Sequence, residues 1–150
     1  MYKHQKAIIR NFIFVTSLTI IIIFSMVCFK DVTNRSESIR AMNHLSELIL
    51  DYRRKSGSVP AESYVDNVRK SLEGSVRLGK IYYRARWITF ESSNDEILAY
   101  VIKEYTPFFL EDGAIVLRLD GRVEWLAKAE LESILADQQS VMELEVLGKN

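Results

Sequence analysis

Nineteen consecutive positions from Asn11 to Phe29, reading NFIFVTSLTIIIIFSMVCF, carry no charge. As a helix rising about 1.5 Å per residue, this run matches the ~30 Å hydrocarbon layer of a bilayer. In lipid a helix satisfies its own backbone groups, so the β-branched Ile and Thr residues do not prevent it. Beyond the run the pattern becomes a stripe. Ile39, Met42, Leu45, Ile49 and Tyr52 recur at helical spacing, which predicts one buried face of an amphipathic helix. Thr33 or Asn34 offers a cap for a new turn, with Glu37 in capping-box range of Asn34. No Pro or Gly separates the stripe from the apolar run, so one nearly continuous helix from about Asn11 to Lys55 is expected. Gly57 ends it, and Pro60 follows as the usual punctuation.

Pro60 can open a second helix, with Tyr64, Val65, Val68 and Leu72 as its buried face and Gly74 and Gly79 closing the segment. The period then shortens. Ile81–Glu91, rich in aromatic and β-branched residues, predicts a strand, followed by a Ser-Ser-Asn-Asp turn. Ile97–Tyr105 predicts another. Ile115–Leu119 and Arg122–Leu126 flank Asp120-Gly121, which predicts a hairpin with a two-residue turn. Ala127–Gln138 returns to helix with Leu131, Ile134 and Leu135 as its apolar side, and no element is assigned from Ser140 onward. The expected fold class is α+β: a long N-terminal spine helix packed on a small antiparallel sheet, with short helices before and after the sheet. The expected organisation is residues 1–10 cytoplasmic, 11–29 transmembrane, 31–139 an extracytoplasmic domain and 140–150 a tail.

Charge orients this arrangement. Lys3, Lys6 and Arg10 precede the apolar run without an acid, and Lys30 and Asp31 follow it. The positive-inside rule then puts Met1–Arg10 in the cytoplasm and Asp31–Asn150 outside, in a bacterial inner membrane. A cleaved signal is the competing reading, but its apolar core usually spans only ~7–15 residues and ends in small residues. Ser25-Met26-Val27-Cys28 has no A-x-A pattern, and Val27 is a poor neighbour for a lipoprotein cysteine. Beyond residue 30 stand 16 basic and 20 acidic residues, a net charge of −4 that does not suggest nucleic-acid binding. Cys28 is the only cysteine, so no internal disulfide staples the domain.

Chemistry-bearing motifs are sparse. His4 and His44 have no His or Cys at ligand spacing, and neither a phosphate loop, a G-x-S-x-G elbow nor an H-E-x-x-H occurs. Glu111-Asp112 before Gly113 could face a hard cation such as Ca²⁺, yet turn chemistry alone explains an acidic pair there. Asp120 likewise serves its turn. No catalytic, cofactor-binding or metal residue is therefore assigned. The aromatics Tyr82, Tyr83, Trp87, Phe90, Tyr100, Tyr105, Phe108, Phe109 and Trp125 are expected to form the sheet core against the first helix, with a subset available to a partner.

Two stretches resemble a known family. Ala41, Leu48, Tyr52-Arg53 and Gly57-Ser58-Val59-Pro60, behind the apolar run, resemble the spine helix and following loop of type II secretion pseudopilins. Glu96-Ile97-Leu98-Ala99-Tyr100 and then Asp112 through Leu126, with Asp120-Gly121-Arg122-Val123-Glu124-Trp125, resemble the C-terminal hairpin of pseudopilin-like proteins of planctomycetes. Ala7 to Phe12 lacks the family's leader Gly and its early Glu, and Arg122 stands where the hairpin usually has His. The resemblance implies a pilin-like domain, a non-enzymatic role in assembly or protein transport, no cofactor, and the bilayer with other membrane or pilin-like proteins as partners. An anchored ligand-binding or sensory domain is the alternative, weakened by the ten residues left on the cytoplasmic side.

Overall fold

A computed structural model describes residues 2–106 and 110–149. Helix α1 (Tyr2–Ser56) is unbroken over 55 residues, so the apolar run and the amphipathic stripe share one axis. The helix begins earlier than the pattern predicts, and no cap interrupts it at Thr33 or Asn34. It stops where Gly57 takes a φ of 77° and returns its N–H to the Arg53 carbonyl at 2.8 Å. Arg53, Arg54 and Lys55 fill the last turn, where positive charge complements the helix dipole. Helices α2 (Glu62–Arg69) and α3 (Ser75–Leu78) follow.

Four strands form one antiparallel sheet in chain order: β1 (Tyr82–Tyr83), β2 (Ile97–Lys103), β3 (Gly113–Arg118) and β4 (Val123–Ala127). Helices α4 (Lys128–Gln138) and α5 (Val141–Lys149) complete the chain. Ala41, Met42, Leu45 and Ile49 of α1 are buried against Leu98, Val101, Ile115 and Leu117 of the sheet. Each Met, Leu, Ile or Val side chain among them contributes about 1.5–3 kcal/mol when removed from water. Ile39 and Leu48 pack at the edge of this core, with Val65 and Leu72 closing one side. A bulge between Ile97 and Ala99 turns the consecutive Leu98 and Ala99 toward the same core.

Three expectations need correction. The predicted strand Ile81–Glu91 shrinks to Tyr82–Tyr83, because Arg84 leaves the ladder with φ −102° and ψ 17° and a 3₁₀ turn, Ala85–Trp87, follows. Phe90 is fully exposed instead of sheltering in the sheet core, while Trp87 is half-buried. The β3–β4 hairpin has a three-residue loop: Gly121 N–H reaches the Arg118 carbonyl at 3.0 Å, and Arg118 N–H reaches the Arg122 carbonyl at 2.9 Å. This is a turn followed by a glycine at positive φ, here 93°, and not a two-residue turn. Third, the segment after Ser140 is helical. Helix α4 covers the second sheet face, so Ile97, Tyr100, Ala114, Val116, Leu126 and Leu131 form a separate buried cluster, and α5 attaches through Glu143. The sheet is thus covered on both faces. Of the other expected core aromatics, Tyr83 and Trp125 pack on the α1 side, whereas Tyr82 and Tyr100 lie on the opposite sheet face with α4; Tyr105 is buried, and Phe108 and Phe109 lie outside the described residues.

Candidate functional site

The dominant candidate feature is the stretch of α1 that projects away from the domain. Phe12, Phe14, Leu18, Ile21, Phe24, Met26 and Phe29 are all at least 47% exposed, where a water-soluble helix would hide them. This is the one helix among the described residues long and apolar enough to cross a membrane. Its Thr19 and Ser25 hydroxyls donate to the carbonyls four residues back, at 2.9 and 2.8 Å, so they present no unpaired donor on the apolar surface.

Immediately after this run the helix is riveted to the domain by polar contacts. The Asp31 carboxylate accepts the Thr106 N–H at 3.1 Å. Asn34 Oδ1 accepts the Lys103 ammonium at 3.3 Å, and that ammonium also donates to the Arg77 carbonyl. Ser38 donates to the Arg77 carbonyl at 2.9 Å, Ser46 to the Gly121 carbonyl at 2.7 Å, and Arg53 to the Leu119 carbonyl at 2.9 Å. These anchors flank the apolar stripe over about 33 Å of helix. The projecting rod and the core helix of the domain are therefore one unbroken helix, with no linker between them. Burial holds the Lys103 ammonium below the usual lysine range, and the two oxygens it bonds, of Asn34 and Arg77, are neutral. Gly74 allows the close approach at this junction: with φ 81°, its added Cβ would meet the Glu37 carbonyl at 2.8 Å.

A second polar cluster locks the other sheet face. Arg84 and Glu143 are fully buried and ion-paired, with Nη2 to Oε2 at 3.1 Å. Arg84 also donates from Nη1 to the Ile97 carbonyl at 2.7 Å and from Nη2 to the Gln138 carbonyl at 3.0 Å. Gln138 Oε1 accepts the Ile97 N–H at 3.0 Å. Sequence reasoning missed this cluster. Its signal was a lone Glu143 among apolar neighbours in Val141-Met142-Glu143-Leu144, which reads as an ordinary surface charge.

The residues weighed for chemistry lie apart. His4 is exposed and His44 half-buried on the same helix, separated by about 60 Å of helix rise. Asp112 accepts the Tyr105 N–H at 2.7 Å and so acts as a turn residue between β2 and β3. Asp120 accepts the Arg122 N–H at 2.9 Å in its own loop. Among the described residues no group of three or more His, Cys, Asp or Glu is placed to hold a metal ion. A concavity of about 520 Å³ beside the domain is lined by Pro60, Glu62, Ser63, Asp66, Tyr83 and Arg86. The Tyr83 hydroxyl there donates to the Pro60 carbonyl at 2.9 Å, and Arg86 stands 3.9 Å from Glu62. The chain matches no family model, no curated protein and no solved structure.

Proposed function

We propose that this protein is a single-pass membrane protein with a cytoplasmic N-terminus, and that its α+β domain stands outside the cytoplasm as a non-enzymatic assembly component of pseudopilin-like type. One observation carries the reading: a single helix is apolar and largely exposed from Asn11 to Phe29 and becomes the core element of the domain beyond it. A linker-free rod of this kind suits a part that transmits position from the bilayer to a neighbour. The basic flank Lys3, Lys6 and Arg10 supports the orientation, and the spine-helix and hairpin motifs support the pilin-like role.

The test is thiol labelling in intact cells, in a Cys28→Ser background. Cysteine at Asn67, exposed on α2, should react with a membrane-impermeant maleimide, whereas cysteine at Gln5 should react only after permeabilisation. Reaction of Gln5 alone in sealed cells would reverse the orientation. The assembly role makes a separate demand: after mild detergent extraction the protein should run in a complex larger than its monomer, and a monomer alone would count against it.

A further inference from the structure

We propose that the outer edge of β4 receives an extended segment of a different polypeptide, which adds a fifth strand to the sheet. The register defines that edge. Arg118 pairs with Arg122 and the Lys128 N–H meets the Asp112 carbonyl, so Glu124 and Leu126 spend their main-chain groups on β3. The alternate residues turn outward: Val123 and Trp125 present N–H and C=O, and Ala127 presents its N–H. Among the described residues nothing bonds to these groups. A row of alternating donors and acceptors at strand spacing is matched by another main chain.

The two sheet edges differ in how they are protected. β1 is only two residues long before the chain turns away, the usual way of blunting an edge. β4 runs five residues without Pro, Lys or a register shift, and its Glu124 is tied to Arg118. Charge and shape at the lower end of β4 describe the partner. The Arg35 guanidinium lies 4.1 Å from the centre of the Trp125 ring and has no salt bridge among the described residues. It also lines a groove of about 330 Å³ with Val32, Ser36, Ile39 and Leu110. A segment bearing a carboxylate and a neighbouring apolar side chain fits there.

A second copy of this chain does not fit. β4 descends along α1, with Gly121 at Ser46 and Trp125 at Arg35. Antiparallel pairing of two β4 edges would point the two projecting helices in opposite directions, which one bilayer forbids. A two-fold axis along the strands sets like residues level, whereas a parallel ladder needs a one-residue offset. This step rests on the anchor reading above.

The experiment uses the full chain in its own membranes, with the photoreactive residue p-benzoylphenylalanine at Arg122 or at Glu124. Both sites should capture one foreign polypeptide, at positions two residues apart in its sequence. Ala127→Pro should reduce capture by about tenfold or more, since loss of 1.4 kcal/mol suffices for that factor. Ala127 has φ −62°, already suited to proline, and the substitution removes only the outward N–H. Ala127→Gly should capture as the parent does. Arg35→Glu, which leaves the ladder intact, should also weaken capture. Capture of a second copy, of lipid or of nothing, captured positions without two-residue spacing, or capture undiminished in Ala127→Pro and Arg35→Glu would each overturn the proposal. Alkaline carbonate extraction of the same membranes tests the anchor independently, so the two failures are separable.

Discussion

Arg84 and Glu143, 59 positions apart in the chain, meet as a buried ion pair that joins the residue just after β1 to α5. The guanidinium also holds the Ile97 and Gln138 carbonyls, so four segments converge on one side chain. Removing Arg84 strands Glu143 in the interior, and removing Glu143 leaves the buried guanidinium only the half-buried Glu96, 3.7 Å away. Glu143→Ala should therefore cost about 3–5 kcal/mol, whereas Arg84→Met combined with Glu143→Leu should recover much of that loss. Urea denaturation of the full chain in detergent micelles, read by tryptophan fluorescence, measures both. A cost below about 1 kcal/mol for Glu143→Ala would place the pair with weak surface bridges.

Gly121 combines two constraints. Its φ of 93° disfavours any L side chain, and a Cβ there would meet Leu50 Cδ1 at 2.5 Å. Gly121→Val should destabilise the domain by roughly 1–3 kcal/mol through backbone strain alone, with the crowding against α1 added. An unchanged urea midpoint would refute the three-residue hairpin loop.

Residues that repeat with a period were legible in the sequence. The stripe from Ile39 to Tyr52 gave the core face of α1, and the short apolar runs Ile97–Tyr105 and Ile115–Leu119 gave the central strands, which form at Ile97–Lys103 and Gly113–Arg118. What failed depended on contacts distant in sequence. Tyr82–Tyr83 and the residues after it look equally strand-like, but Arg84 is pulled inward by Glu143 and Gln138, which no local pattern announces. The α5 helix was hidden for the same reason: it docks through a charge, with Val141, Met142 and Leu144 turned outward. The long apolar helix was plain, since uninterrupted apolar length is a local property. The β4 edge was not, because the register decides which backbone groups remain free.

The α1 stripe makes a sharper demand than ordinary amphipathicity. Met42 and Leu45 are wholly buried within one chain, so a carboxylate there has no water and no partner. Met42→Asp or Leu45→Asp should unfold the domain, seen as loss of near-ultraviolet circular dichroism in the detergent-solubilised full chain. If these variants keep the parent spectrum and lose only association with other proteins, the stripe is an intermolecular seam and the packing of α1 on the sheet is wrong.

Alkaline pH should expose the buried tyrosines. Desolvation raises the hydroxyls of Tyr83 and Tyr100 above their ordinary value and pushes Tyr105 up to about 12. In the unfolded chain all three ionise near pH 10. Above that value the unfolded chain has released protons that the native chain still holds, so stability falls as pH rises, by at most about 1.4 kcal/mol per pH unit for each tyrosine. Lys103 acts with the opposite sign. Its native value lies below 10.5, so between the two the unfolded chain binds the extra proton and stability rises with pH. One lysine against three tyrosines leaves a net decline from about pH 10 to 12. Urea midpoints of the full chain in detergent at pH 8, 10 and 11.5 should trace it. Tyr83→Phe should lower the midpoint at pH 8, because the bond to the Pro60 carbonyl is lost. It should also flatten the alkaline decline, because one differential proton is removed. A Tyr83→Phe chain that loses stability above pH 10 as steeply as the parent would show that this hydroxyl is not held protonated by burial.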